Sequence, residues 1–379
     1  MAFSIFSSNV QRPARRNRTQ RRQTVAAVAI FLAVLAACVI TGEVASRRFP
    51  TLLAWRGDQT IERPDPERFA LASLHTLLDH QLLYHDFDHA IDAVRKADVL
   101  LLGNSRMNLA FPDDVLRQVA SEHGVTVYNL GLGFDERVAF SSALIERHDL
   151  RPKVVVVNAD RRFFASDTSP LAARLMQSQE LGSDAWQDWK ERNEASVGWN
   201  FRLAFHRYIP RFNVAKRRIE SADVYRSLET GSWWWALHHQ PSPEHTVEVE
   251  LISESLNDDE RRNALEFKRA MDARGVAIVL TQIPQREMCY VKLRELVELL
   301  EAPVVLPQLD GLKTADQSHL DAASAARFSS TFLSEFFDRS AIRMALYGRD
   351  WRLLADQARN ELEHNAQRQS HLHDLIEGR

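Results

Sequence analysis

Ser105, His319 and Asp316 have the residue types of a nucleophile, a base and a carboxylate that orients the base, and they fall in two short stretches. The first, "ADVLLLGNSRMNLAF" (97–111), runs an apolar segment into Gly103-Asn104-Ser105-Arg106. The second, "DGLKTADQSHLDAASAARF" (310–328), carries Asp316 and His319 in a D-x-x-H step. A serine hydroxyl is a weak nucleophile until a base takes its proton and a third group orients that base. A D-x-x-H step can fold back so that the carboxylate accepts from one imidazole nitrogen while the other faces outward. With an unperturbed pKa of about 6.5, imidazole suits a base working near neutrality. A plainer reading competes with this one. Gly103 and Asn104 are ordinary turn formers, and Asp316 or Ser318 can cap the helix that follows.

Elements at the right places must bring the two stretches together. "ADVLLLG" (97–103), "VTVYNLG" (125–131) and "KVVVVNA" (153–159) are short, β-rich apolar runs. Between them lie amphipathic stretches, one opened by Asp113 and Asp114 and stopped by Gly124, another over 135–148. The alternation resumes at 258 with a helix over 258–273 stopped by Gly275, then the strand "VAIVLTQ" (276–282). A helix over 288–300, the strand "PVVLP" (303–307) and a helix over 318–337 complete it. Strands apolar on both faces, alternating with helices, predict an α/β fold: a doubly wound, parallel five-stranded sheet. Residues 96–163 and 258–338 form its two parts, and 164–257 is a mainly helical insertion. Residues 43–95 read as a partly helical connector, and 339–379 as a polar helical tail. Sheets of this kind bind ligands beyond the carboxyl ends of their strands. Ser105 and the Asp316–His319 loop both open at that edge.

With these residues in place the sequence resembles the SGNH hydrolase superfamily, and within it the membrane-anchored envelope branch. That branch includes proteins accompanying alginate O-acetylation and D-alanyl transfer to teichoic acid. Gly103-Asn104-Ser105-Arg106 is similar to the first block of that superfamily, and Asp316-Gln317-Ser318-His319-Leu320 to its last. The resemblance implies a flavodoxin-like sheet, with Ser105 as nucleophile, His319 as base and Asp316 as its orienting partner. It also implies an oxyanion hole made by the Ser105 N–H, a glycine N–H and an asparagine amide. "YNLGLGF" offers Gly131 first and Gly133 second for the glycine, and Asn158 in "VVVNADRRF" matches the asparagine. Two departures stand out. The usual first block reads Gly-Asp-Ser where this chain has Asn104, and the usual third block carries Gly-x-Asn-Asp where Asn158 follows valines and precedes Ala159. One oxyanion donor is typically worth about 2.7–4 kcal/mol of barrier. The acyl-serine so formed passes its acyl group to water or to a sugar hydroxyl. The partners implied are an acylated donor and an envelope glycan acceptor, with or without a membrane-bound acyltransferase that supplies the domain. The alternative is a non-catalytic polysaccharide-binding or assembly protein that keeps the fold. Neither a cofactor nor a metal is implied.

The remaining features bear on place rather than chemistry. A net charge of −3 argues against a general nucleic-acid binder. Six arginines crowd residues 1–23 with no acidic residue among them, and "TVAAVAIFLAVLAACVITG" (24–42) follows without a charge. At about 1.5 Å per residue that run nearly spans a hydrocarbon core of roughly 30 Å. The basic flank predicts a cytoplasmic N-terminus, one transmembrane helix in the inner membrane, and a main domain on the periplasmic side. The rival is a cleaved lipoprotein signal, since "LAAC" (35–38) ends on Cys38. With Cys38 in the membrane, Cys289 is alone outside, with no internal disulfide. Arg106 and Arg161, with Arg162 beside it, are candidate contacts for an anionic polymer, against the ordinary reading of surface salt bridges. Trp233–Trp235 can stack on sugars, sit at a membrane surface or fill a core. "HHQPSPEH" (238–245) and "HLH" (371–373) lack the spaced ligand set of a zinc site.

Overall fold

Strands covered on both faces need apolar side chains in both directions, and the runs at 99–102, 154–158 and 277–281 supply them. A computed structural model describes residues 65, 68–72, 78–133, 136–180, 224–235, 238, 245–247 and 249–347. The apolar run 24–42 with Cys38, and His371–His373, lie outside the described residues. Among the described residues no helix is long and apolar enough to cross a membrane.

In chain order the elements begin with β1 (Phe69–Leu71), α1 (Leu78–Tyr84), α2 (Ala90–Lys96), β2 (Val99–Leu102) and α3 (Ser105–Ala110). Next come α4 (Asp113–His123), β3 (Val127–Asn129), α5 (Val138–Arg147), β4 (Val154–Asn158) and α6 (Pro170–Glu180). Four short strands follow: β5 (Val224–Ser227), β6 (Trp233–Trp235), β7 (His245–Thr246) and β8 (Glu250–Leu251). Then come α7 (Asp258–Arg274), β9 (Ala277–Thr281), β10 (Glu287–Met288), α8 (Tyr290–Leu300) and β11 (Lys313–Thr314). The last two are α9 (Ala322–Asp338) and α10 (Ser340–Tyr347).

The main sheet is parallel and four-stranded, in the order β3-β2-β4-β9. Val99 pairs with Val127 on one side of β2 and with Val154 on the other, and Asn158 pairs with Thr281 at the far end of β4. Alternate residues feed two cores. Leu100, Leu102, Val155, Val157 and Leu280 pack with Ile91, Phe140, Leu144, Phe267 and Leu296 on one face. Val99, Leu101, Val154, Val156 and Val279 pack with Phe111, Leu116, Phe328, Phe332 and Phe336 on the other. Burying each such side chain contributes about 1.5–3 kcal/mol. Helices therefore cover both faces, and the order reverses between β2 and β4, the place where sheets of this kind bind ligands beyond the strand ends.

The fifth strand expected at 303–307 is reduced to a single parallel bridge between Leu280 and Val304. Leu280 N–H reaches Pro303 C=O and Val305 N–H reaches Leu280 C=O, and the ladder stops there. Proline brackets the run at 303 and 307, and a residue without an N–H cannot extend a ladder. Two other stretches also differ from expectation. Within 164–257, expected to be mainly helical, the described residues after α6 form short strands. Valine, tyrosine and tryptophan suit a half-buried pleat, and Trp233 and Trp235 point inward while Trp234 is partly exposed. Within 43–95, expected to be a connector, β1 pairs antiparallel with β5, giving a second sheet β1-β5-β6, and α1 buries Leu82, Leu83 and Tyr84 in the main core.

Candidate active site

The turn before Ser105 is forced by close approach. A Cβ on Gly103 would lie 2.9 Å from Asn158 Cβ and 3.0 Å from Met107 Cβ, so only glycine lets β2 pass the end of β4 this closely. Asn104 caps the short helix α3, its side-chain oxygen accepting the Arg106 N–H at 3.1 Å. Ser105 is thereby the first residue of that helix and is only 4% exposed. Its Oγ lies 2.8 Å from His319 Nε2 across 214 residues of sequence.

A narrow hairpin presents His319. Ala315 N–H donates to His319 C=O at 2.8 Å and Asp321 N–H to Lys313 C=O at 2.9 Å, leaving 316–318 as the tip. There Gln317 adopts a left-handed φ of 68°. One carboxylate oxygen of Asp316 accepts the N–H of Ser318 (3.0 Å) and of His319 (2.8 Å). The other lies 2.7 Å from His319 Nδ1. An ionised carboxylate can only accept, so Nδ1 carries the ring proton and Nε2 is left to accept from the Ser105 hydroxyl. Burial pushes the Asp316 carboxyl up, but the hydrogen bonds and charge of His319 outweigh it and bring the carboxyl down to about 2. Asp316 does not cap the last helix; Asp321 does, accepting the Ser324 N–H at 2.7 Å. The hairpin delays that helix to Ala322, and so frees the D-x-x-H step to act as a unit.

Of the N–H groups with no acceptor among the described residues, three lie at the start of α3, the end of β4 and the glycine loop. The first is the Ser105 N–H, one of the orphans of a helix N-terminus. The second belongs to Asn158, which is buried at the end of β4. Its side-chain oxygen must face the Ile283 N–H (3.1 Å), which turns the amide NH2 away. The third is on the glycine loop, where the structure departs from the expected donor. Gly131 N–H is taken by Asn129 Oδ1 at 3.1 Å. A Cβ on Gly131 would sit 2.9 Å from Asn108 Oδ1, so this glycine serves close packing on α3. Leu132 N–H reaches Gly103 C=O at 3.0 Å, and the next N–H, that of Gly133, is the open one.

The arginines proposed as substrate contacts are engaged within the chain. Arg106 spans Asp160 (Nη1, 2.5 Å) and Ser318 (Nε to C=O, 3.3 Å; Nη2 to Oγ, 3.1 Å), so it ties the nucleophile helix to the hairpin tip. Gln285 Nε2 reaches the same Asp160 oxygen at 3.4 Å. Arg161 pairs with Glu254 (2.6 Å) and Glu287 (3.1 Å), and Arg162 with Asp167 (2.6 Å). Asp160 was not singled out from sequence, and Ser318 only as a possible helix cap, although each adjoins a residue that was. Trp233 and Trp235 fill the small core of the second sheet, and the Trp235 ring stands edge-on to His319 at 5.7 Å. His238 Nε2 contacts the Leu320 carbonyl, so it supports the hairpin. Cys289 is buried, its Sγ 3.1 Å from Glu254 C=O.

Compared with known protein families, curated proteins and solved structures, the chain matches none.

Proposed function

We propose that this chain is a serine acyl-transfer enzyme of the SGNH kind, an O-acyltransferase or acylesterase acting on a cell-envelope polysaccharide. On this reading residues 24–42 anchor it in the inner membrane, with the main domain periplasmic. The carrying observation is the continuous contact from Asp316 through His319 to Ser105, at 2.7 and 2.8 Å, beside three open N–H donors.

The chemistry follows from the protons. His319 Nε2 takes the Ser105 hydroxyl proton as Oγ bonds to the acyl carbon of an ester donor. The carbonyl oxygen becomes an oxyanion and is received by the N–H of Ser105, the N–H of Gly133 and the amide of Asn158. Collapse breaks the bond to the donor's alkoxide, which takes the proton from Nε2 and departs. An acceptor hydroxyl, from a sugar or from water, then loses its proton to Nε2 and attacks the acyl-serine. Ser105 leaves and regains its proton. Throughout, Asp316 stays ionised and stabilises the imidazolium that forms twice in the cycle. An acylated donor and a glycan acceptor are the partners this reading requires, with or without a membrane-bound acyltransferase as the source of acyl groups.

The test is labelling by a fluorophosphonate probe together with acetyl release from a panel of envelope glycans. Wild type should be labelled and active on one glycan, and Ser105→Ala should be neither. An unlabelled wild type, or normal polymer acylation with Ser105→Ala, would leave only a polysaccharide-binding or assembly protein.

A further inference from the structure

We infer that Arg226 and Asp79 are positioning residues for the oxyanion loop, their buried pair fixing the Asn129–Gly133 backbone that carries the Gly133 N–H. This rests on the acyl-transfer reading of Ser105. Neither residue belongs to a stretch that carries a motif: Asp79 is on α1 and Arg226 on β5.

Every donor of the Arg226 guanidinium is used. Nε meets Asp79 Oδ1 at 2.5 Å and Nη2 meets Oδ2 at 2.6 Å. Nη1 donates to the carbonyls of Asn129 (2.7 Å) and Gly231 (2.8 Å), and Nη2 also to that of Gly131. Arg226 is fully buried and Asp79 nearly so. An apolar pair of similar volume holds a core as well as a buried ion pair does, or better, so stability alone gives no reason for charge here. What charge adds is direction. A five-donor fork can hold three main-chain carbonyls and a carboxylate in one arrangement, which an apolar side chain cannot.

The carbonyls it holds are those that set the loop. The Gly131–Leu132 peptide is pinned at both ends, its C=O by Arg226 and its N–H by Gly103 C=O at 3.0 Å. Asn129 adds a second tie to the nucleophile helix, its Nδ2 donating to Met107 C=O at 2.8 Å. Gly133 N–H lies one pair of dihedrals further on, and Gly133 C=O accepts the Glu136 N–H at 3.0 Å. The hairpin that brings Arg226 here is shaped for the contact. Gly231 has φ 73°, and a Cβ on it would fall 2.1 Å from the Asn129 carbonyl oxygen. Thr230 C=O takes the Asn129 N–H at 2.6 Å.

The experiment uses the full-length chain, p-nitrophenyl acetate as substrate and phenylboronic acid as a tetrahedral mimic, well below the melting transition. Arg226→Lys keeps a charge for Asp79 but loses the fork, and Asp79→Asn keeps the shape but releases the arginine. Each should lower kcat about 10- to 100-fold, short of or equal to the loss of a whole donor, with KM within about twofold. Boronate affinity should weaken by the same factor as kcat. Should neither variant fold, Asp79→Leu/Arg226→Met removes both charges together, and the same losses are expected. Variants that melt earlier but keep wild-type kcat and boronate affinity overturn the inference while leaving the acyl-transfer reading intact. A wild type that releases no nitrophenol overturns that reading, and this inference with it.

Discussion

Arg106 grips Ser318 twice, through its carbonyl oxygen at 3.3 Å and its hydroxyl at 3.1 Å, while its third contact holds Asp160 at 2.5 Å. The residue after Ser105 thus holds the residue before His319. A substrate-binding arginine and a bracing arginine predict different kinetics. Loss of the brace misplaces His319 relative to Ser105 in the free enzyme and in the transition state alike. Arg106→Lys, which cannot reach Asp160 and both Ser318 oxygens together, should lower kcat about 10- to 100-fold, since hydrogen bonds to charged groups are worth about 1.5–3 kcal/mol. KM for p-nitrophenyl acetate should stay within about twofold. A large rise in KM on an anionic glycan, with kcat unchanged, would return Arg106 to the role of a ligand contact.

Asp316 sets the tautomer of His319, and its replacement separates orientation from charge. Asp316→Asn can present its NH2 to Nδ1, which turns the ring proton to Nε2, where it opposes the Ser105 hydroxyl. In the serine-protease triad the same exchange drops kcat by about 10⁴. A similar loss is expected here, measured as hydrolysis of p-nitrophenyl acetate near neutral pH. Retention of more than a tenth of wild-type activity would show that the carboxylate is dispensable.

Much of this site can be read from residue order. Ser105 follows β2 of the parallel sheet and the D-x-x-H step follows the run bridged in parallel at Val304, and parallel strands send the loops that follow them to one edge. The choice between Gly131 and Gly133 could not be read that way. It turns on Asn129, whose side chain takes the Gly131 N–H, a contact between residues two apart that no motif encodes. The roles of Asp79 and Arg226 were equally hidden. They come from segments read as connector and insertion, and β1 pairs with β5 across more than a hundred residues. The edge strand at 303–307 failed for a reason visible in its two prolines, whose weight shows only once Leu280 is, among the described residues, the one bridging to it.

Gly103 tests how tightly the nucleophile turn is packed. An alanine Cβ would meet Asn158 Cβ at 2.9 Å and Met107 Cβ at 3.0 Å, below any ordinary carbon contact. Neither neighbour is the free end of a flexible chain, so β4 or α3 must shift. Overpacking of this kind costs about 1–3 kcal/mol. The shift also moves the Asn158 amide against Ser105. Gly103→Ala should therefore lower the denaturation free energy by about that amount and reduce kcat in the folded protein. Unchanged stability would mean that β2 and β4 separate freely at this end.

Asn158 offers the most direct measure of the proposed oxyanion hole. Truncation to alanine removes the amide NH2 and also the oxygen that accepts the Ile283 N–H. Loss of one such donor costs about 10²–10³ in kcat. Asn158→Asp keeps an acceptor for Ile283 but replaces the donor with a group that repels an oxyanion, so it should be at least as inactive and fold more stably than the alanine variant. Equal activity in wild type and Asn158→Asp would remove Asn158 from the hole.

Acid should weaken the fold in two stages, and the first belongs to a histidine far from the site. Burial pushes His148 down to about 4 from an ordinary 6.5, helped by the charge of Arg147, although its Nε2 contact with Leu83 C=O at 3.0 Å acts the other way. A histidine lowered on folding binds fewer protons in the folded state than in the unfolded one. Stability is therefore full above about 6.5 and declines as pH falls, until the folded ring also protonates near 4. Asp316, lowered to about 2 from 3.8, contributes to the second stage; its stabilisation is present above its unfolded value and lost as pH falls toward about 2. His148→Gln keeps a donor for Leu83 C=O and removes the titration. Urea denaturation of wild type should show stability falling between pH 6.5 and 4, and the variant should lose less over the same interval. Parallel slopes in the two proteins would mean that His148 is solvated and ionises in the folded state as it does in the unfolded chain.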